Sequence, residues 1–157
     1  MLSVVLVVYK TDKKKLEYIL KQIEKKYPII IIDNSTNYNF SNIKISKKTR
    51  IIRSGNVGNG AGINLGIKHC KTNYVLYTDL DVILESNFIH KFNKFLIKNK
   101  DFAIIIPNNR NIRSKKSLIE RYNEEGSVML FNKKILNNTG FFDENFFFIL
   151  WRKRFIF

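Results

Sequence analysis

Two aspartates separated by one residue, Asp79-Leu80-Asp81, leave an apolar run, Tyr74-Val75-Leu76-Tyr77-Thr78, that reads as a strand. In extended chain, residues i and i+2 point the same way, so both carboxylates can address one target. A hard divalent cation, Mn²⁺ or Mg²⁺, suits them, because such ions take one or two carboxylates and complete their shells with water and phosphate oxygens. The plain alternative is two acids ending a strand in solvent, and the spacing alone does not separate the two.

Upstream, Gly55-Asn56-Val57-Gly58-Asn59-Gly60-Ala61-Gly62-Ile63-Asn64-Leu65-Gly66 is less ordinary. Glycines let backbone amides approach a ligand without Cβ obstruction, and the stretch opens a helix whose N-terminus favours a diphosphate. Asn56, Asn59 and Asn64 add neutral hydrogen-bonding groups. A P-loop would need Gly-Lys-Ser/Thr at its end, and a dinucleotide fingerprint starting at Gly58 would need glycine where Ile63 stands. A flexible turn is the remaining alternative. Asp33-Asn34-Ser35 closes another apolar run and could bond a nucleotide base or ribose, or simply form an Asx-type turn.

These residues need elements to hold them. Residues 2–9 form an apolar strand, followed by Asp12 as a helix cap and by Leu16, Ile19, Leu20, Ile23 and Tyr27 at helical spacing up to Pro28. Ile29-Ile30-Ile31-Ile32 is a short buried strand, residues 36–50 a polar loop, and Ile51-Ile52-Arg53 a candidate strand. Ile63, Ile67 and Cys70 share a helical face before the 74–78 strand, completing a second β-α-β unit. Ser86 can cap a helix carrying Phe88, Ile89, Phe92, Phe95 and Leu96, and residues 102–106 supply another buried strand closed by Pro107. A mobile loop with some helix (108–125), a strand (127–131) and a short helix (133–137) follow. This alternation implies one α/β domain with an open, mostly parallel sheet, whose ligand crevice lies beyond the carboxyl ends of the strands.

With 157 residues, the chain can bury one core. The apolar start lacks a basic leader and a cleavage site and reads as a strand, and no run approaches the roughly 18 residues a bilayer span needs. Cys70 is the only cysteine, which excludes an intrachain disulfide and suits a reducing cytoplasmic setting. A net charge of +15 favours anionic partners, but abundant Lys, Ile, Asn and Phe also follow from AT-rich coding. No nucleic-acid motif accompanies the charge, so nucleic acid is not an expected partner. His69 and His90 lack ligand-spaced partners and read as packing or surface residues. Arg110, Arg113, Lys115, Lys116 and Arg121 could attract an acceptor phosphate or membrane headgroups, or form a solvated loop.

Together, Val7-Val8-Tyr9, Asp33-Asn34-Ser35, the 55–66 stretch, Thr78-Asp79-Leu80-Asp81, Gly126-Ser127-x-Met129 and Gly140-Phe141-Phe142-Asp143-Glu144-x-Phe146-Phe147 resemble the family 2 glycosyltransferases of GT-A fold, above all rhamnosyltransferase-like members. The resemblance implies a nucleotide-sugar-binding part (1–107) and a partial acceptor part (108–157). It implies donor contacts at Tyr9, Asp33, Asn34, Asn56, Gly58, Gly60, Asn64 and Asp79, and a metal held by Asp79 and Asp81. The reaction so implied is inverting transfer from a nucleoside diphosphate sugar to a saccharide or polyprenyl-linked acceptor in bacterial surface-polysaccharide assembly. The implied location is cytoplasmic, with peripheral contact at the inner membrane face.

The pattern breaks after Glu144. The family's acidic segment, which supplies the base, is replaced by Phe148-Ile149-Leu150-Trp151-Arg152-Lys153-Arg154-Phe155-Ile156-Phe157. This reads as truncation, leaving Asp143 and Glu144 as substitute bases or as shapers of the acceptor loop. A frameshift would account for it: if residues 150–157 were encoded TTA TGG AGA AAA AGA TTT ATA TTT, reading from the second base would give Tyr-Gly-Glu-Lys-Asp-Leu-Tyr, and the gene sequence tests this. Two alternatives stand beside the enzyme: a catalytically dead donor-binding remnant, and a nucleotidyltransferase, whose lysine-containing glycine signature near the first strand is missing.

Overall fold

The computed structural model describes residues 2–23, 25–107 and 126–145. The expectations for 108–125, with its basic residues, and for 146–157, with Phe146, Phe147 and the acid-free segment, lie outside the described residues. Within them, β1 (Leu2–Val8) and β2 (Ile29–Asp33) are buried almost end to end, as continuous apolar runs require in a sheet covered on both faces. β3 (Thr49–Arg53) pairs outside β2, starting two residues before the expected Ile51. β4 (Tyr74–Thr78) pairs with the other side of β1, and all four strands run parallel. The sheet order is β3-β2-β1-β4-β6-β5, with β6 (Val128–Asn132) antiparallel to β4 and to β5 (Ile104–Ile105). The open, mostly parallel α/β sheet is thus as expected. The 102–106 strand, however, is corrected to two half-buried residues, because it lies at the sheet's edge with one partner.

Alternating side chains divide the core. Val4, Leu6 and Val8 face α1 (Lys13–Gln22) and α3 (Phe88–Lys98), while Val5 and Tyr77 face α2 (Asn59–His69) and α4 (Lys133–Thr139). Asp12 caps α1 as expected, its carboxylate accepting the Lys14 N–H at 2.7 Å. The helix stops at Gln22, well before Pro28, because Ile23 turns to extended backbone; Tyr27 enters the core from the link that follows. α3 is capped by Asn87 rather than Ser86, without a side-chain bond, and its stability rests on the buried Ile89 and Leu96. Among the described residues, no helix is long and apolar enough to cross a membrane.

α2 lies close on the sheet because of its glycines. A Cβ built on Gly66 falls 2.4 Å from Cγ1 of Val5, which is fully buried and stiff at χ1. Gly66→Ala is expected to destabilise by about 1–3 kcal/mol through overpacking, outweighing the roughly 1 kcal/mol gain in helix propensity. Urea denaturation measures this, and Val5→Ala in the same chain should recover part of the loss, a coupling that independent sites do not give.

Candidate functional site

The chain runs outward from β1 to β2 and β3 and then returns over the opposite face through α2 to β4. Between β1 and β4 the connections therefore diverge, which is where an open α/β sheet places a ligand crevice, beyond the strand ends. Tyr9 follows β1, Asp33 ends β2, Asp79 follows β4, and α2 begins with Gly58 at its cap. Ser127 reaches the same rim from the antiparallel strand, its carbonyl accepting the Asp79 N–H at 2.8 Å.

Tyr77 joins the glycine loop to the acid pair. It lies two residues before Asp79 on the α2 face of the sheet, and its hydroxyl donates to Asp79 Oδ1. The Asn59 side chain, in the first turn of α2, lies 3.4 Å from the same hydroxyl. Since the single phenolic proton serves the carboxylate, the Asn59 amide pairs best turned over, with Nδ2 donating to the phenol oxygen. Burial, reinforced by the charge of Asp79, drives the Tyr77 phenol far above its usual range, so it remains a donor. Burial also pushes the Asp79 carboxyl upward and Asp81 adds to the shift, while hydrogen bonds from Tyr77 and Ser127 oppose it. Tyr77 was missed in the sequence because an apolar strand context makes tyrosine look like core. Its signal was the i, i+2 spacing to Asp79.

Asp81 is exposed, and the Leu80-Asp81 step is a turn, so strand alternation does not carry beyond Asp79. The charge of Asp81 still reaches the Asp79 carboxyl and raises it. Their repulsion is what a bound cation relieves, and two carboxylates match a hard divalent ion. Among the described residues no third His, Cys, Asp or Glu joins them, so water and ligand oxygens would complete such a shell.

At the end of β2, Asp33 Oδ1 accepts the Ser35 N–H at 2.9 Å in an Asx-type turn, while the buried Oδ2 has no partner. An orphaned buried carboxylate oxygen is costly unless a ligand or water meets it. Asn34 is 2% exposed and committed to the protein: Nδ2 donates to the Gly58 carbonyl at 2.9 Å and Oδ1 accepts from Ser54 Oγ at 2.7 Å. It clamps the glycine loop to β2. Gly58 itself has φ 87°, where a side chain would be strained, and it turns the chain into α2 with no side-chain cap. Without a side-chain cap, the first N–H groups of α2 keep hydrogen-bonding capacity that an anion can use.

Tyr9 is 48% exposed beside Lys10, whose left-handed φ of 45° bends the chain away from β1 and whose N–H donates to Ser35 Oγ at 2.7 Å. Asn56 is exposed in the loop before Gly58. Asn64, by contrast, is fully buried one turn further along α2, exchanging two hydrogen bonds with the Phe142 backbone, at 2.8 and 3.1 Å. Its amide also donates to Glu144 Oε1 at 3.0 Å, and Lys68 pairs with that oxygen at 3.2 Å. These bonds, the Asn64 one first, hold the Glu144 carboxyl below its usual range. Asp143 is exposed and accepts from the Asn145 backbone and amide. Tyr9, Asp33, Asn34, Gly58, Gly60, Asp79 and Asp81 thus gather at the rim. Asn64 and Glu144 lie along the body of α2, roughly 7 Å and more from its N-terminus at 1.5 Å per residue.

The family model for glycosyl transferase family 2 matches residues 3–156. No curated protein matches significantly. TarS 1–349 of S. aureus has a TM-score of 0.62 at 16% identity, over 91% of this chain and 50% of that one. The same protein in complex with UDP-GlcNAc has a TM-score of 0.59 at 13% identity, over 87% and 46%. A mannosyltransferase from Pyrobaculum calidifontis, in complex with GDP-Man and Mn²⁺, has a TM-score of 0.64 at 13% identity, over 92% and 48%. At such identities the likeness shows the GT-A fold alone, and the chain spans about half the length of these proteins. With the family model matched over nearly its whole length and a sheet of the same architecture, the chain belongs to glycosyl transferase family 2.

Proposed function

We propose that this chain is the donor-binding core of a glycosyltransferase that moves a sugar, with inversion, from a nucleoside diphosphate to a saccharide or polyprenyl-linked acceptor. Its setting is bacterial surface-polysaccharide assembly at the cytoplasmic side of the membrane. The observation that carries the reading is the Tyr77 hydroxyl, which links Asn59 at the start of α2 to Asp79. Through it, the diphosphate-favouring helix end and the acid pair face one crevice.

In this reading the diphosphate sits at the α2 N-terminus, and the unpartnered Asp33 Oδ2 takes a hydrogen bond from base or ribose beside Tyr9, with Asn34 keeping the loop in place. Asn56 and Gly60 border the diphosphate. Asp79, oriented by Tyr77, and Asp81 hold Mn²⁺ or Mg²⁺, which when bound supplies positive charge against the departing diphosphate. The solved mannosyltransferase complex with GDP-Man and Mn²⁺ supports that choice of ligands. Residues 108–157 would contribute the acceptor side.

A second reading, a donor-binding remnant without turnover, is favoured by Glu144. A base must reach the acceptor hydroxyl with suitable basicity, and Glu144 is tied to Asn64 and Lys68 with its carboxyl held low. Calorimetry with UDP, GDP and dTDP sugars separates the readings, with Mn²⁺ and then with EDTA, followed by a transfer assay. We expect one nucleotide series to bind in a Mn²⁺-dependent way. Binding without transfer to any acceptor selects the remnant, and binding of no sugar nucleotide overturns both readings.

A further inference from the structure

The two helical layers carry charge differently. α1 exposes Lys14, Lys15 and Lys21, and α3 exposes Lys94 and Lys98, while Lys91 is paired with Glu85, just before α3, at 2.5 Å. Glu17 is the single acid within α1, and α3 contains none. On the opposite layer, Lys68 is paired with Glu144, and Lys133 donates to the carbonyls of Lys68 and Cys70. α1 and α3 pack on the same face of the sheet, and the segments at their ends are linked by Asn93 Nδ2 donating to the hydroxyl of Tyr27, after α1, at 2.7 Å and by the N–H of Leu84, before α3, donating to Gln22 Oε1 at 2.5 Å.

This basic surface also presents apolar groups to solvent. Ile97 stands 72% exposed between Lys94 and Lys98, Ile83 is 76% exposed just before α3, and Tyr18 is half-exposed between the lysines of α1. Branched aliphatics gain nothing from a phosphodiester backbone, and base stacking needs aromatic platforms. At a bilayer surface the same groups fit together: lysine ammoniums meet anionic headgroups, isoleucines reach the acyl boundary, and a tyrosine ring suits the interface. Like charge opposes a second copy of this face.

We propose that the α1/α3 face docks on an anionic lipid bilayer, with Ile83 and Ile97 seated at the headgroup–acyl boundary. Ile83 follows Asp81 by two residues, so the docked face adjoins the rim of the crevice. A lipid-linked acceptor would meet the crevice there; this clause alone rests on the glycosyltransferase reading.

Sedimentation with phosphatidylglycerol-containing vesicles, against pure phosphatidylcholine vesicles, tests the docking. The full chain is expected to bind the anionic vesicles at low salt and to release them at high salt. Each surface lysine contributes on the order of fivefold, so Lys21→Glu with Lys94→Glu should weaken partition by at least about 20-fold. Ile83→Ser with Ile97→Ser should weaken it by about tenfold at unchanged net charge. Lys71→Glu with Lys134→Glu makes the same change in net charge on the opposite layer and should leave partition within about threefold. An equal loss from that control pair, equal binding to neutral vesicles, or equally tight binding of duplex DNA at the same salt would overturn the proposal. Vesicle binding that persists in a chain binding no sugar nucleotide sustains the docking and sinks only the donor reading.

Discussion

Asp79→Asn is expected to remove Mn²⁺-dependent binding of the nucleotide sugar, weakening it by at least about 100-fold, while leaving the fold as stable as before or slightly more so. The two halves of this expectation have one cause. Burial and the neighbouring Asp81 raise the Asp79 carboxyl above its ordinary value, so carrying its charge costs the folded protein stability. For an acid with a raised folded value, stability increases as pH falls through that value, and a neutral amide reproduces the relieved state. Asparagine keeps an oxygen for the Tyr77 proton and discards only the charge. Calorimetry with Mn²⁺ and with EDTA, beside a thermal melt, reads both halves. Equal weakening under both conditions would assign Asp79 to the nucleotide rather than to the cation, and a large fall in Tm would make it structural. Tyr77→Phe should cost about tenfold in the Mn²⁺-dependent part only, since it loosens the carboxylate without removing it.

Asn64→Leu is the substitution with the largest expected effect on stability among the polar residues, about 2–4 kcal/mol by urea denaturation. Leucine fills the volume but leaves the Phe142 N–H and carbonyl without the paired amide that now meets them at 3.1 and 2.8 Å. It also removes the principal cause of the low Glu144 carboxyl. An acid with a lowered folded value contributes stability that is present above its ordinary range and is lost as pH falls through the lowered value. Because the Lys68–Glu144 pair is half-exposed, that contribution is small, and the variant should show less of the acid-side decline. Faster proteolysis around residues 141–144 would accompany the loss. Undiminished stability would show that Phe142 is held by its ring packing on Phe131 rather than by Asn64.

Local patterns made much of this protein legible. The apolar runs of β1, β2 and β4, the Asp12 cap and the glycine-led start of α2 depend on near neighbours, and the order of strands and helices follows from them. The ordered motifs between Tyr9 and Glu144 pointed to the family that the match over residues 3–156 establishes. Less visible was the work of individual polar side chains. Asn34, Tyr77 and Asn64 meet partners 24, 18 and 78 positions away. No spacing rule reports such meetings, because they exist only once the sheet has formed. The placement of β6 between β4 and β5 is of the same kind, since antiparallel pairing across a long connection leaves no periodic mark.

By itself, then, the order of residues determined the period of each element and the chemical groups at its ends, since these are set by backbone sterics and burial over a few positions. Tertiary structure alone decided which amides are consumed as clamps and which oxygens are left for a ligand. Hydrogen-bonding capacity is used up by whichever partner the folded sheet brings within 3 Å or so, and that partner is seldom a neighbour in the chain.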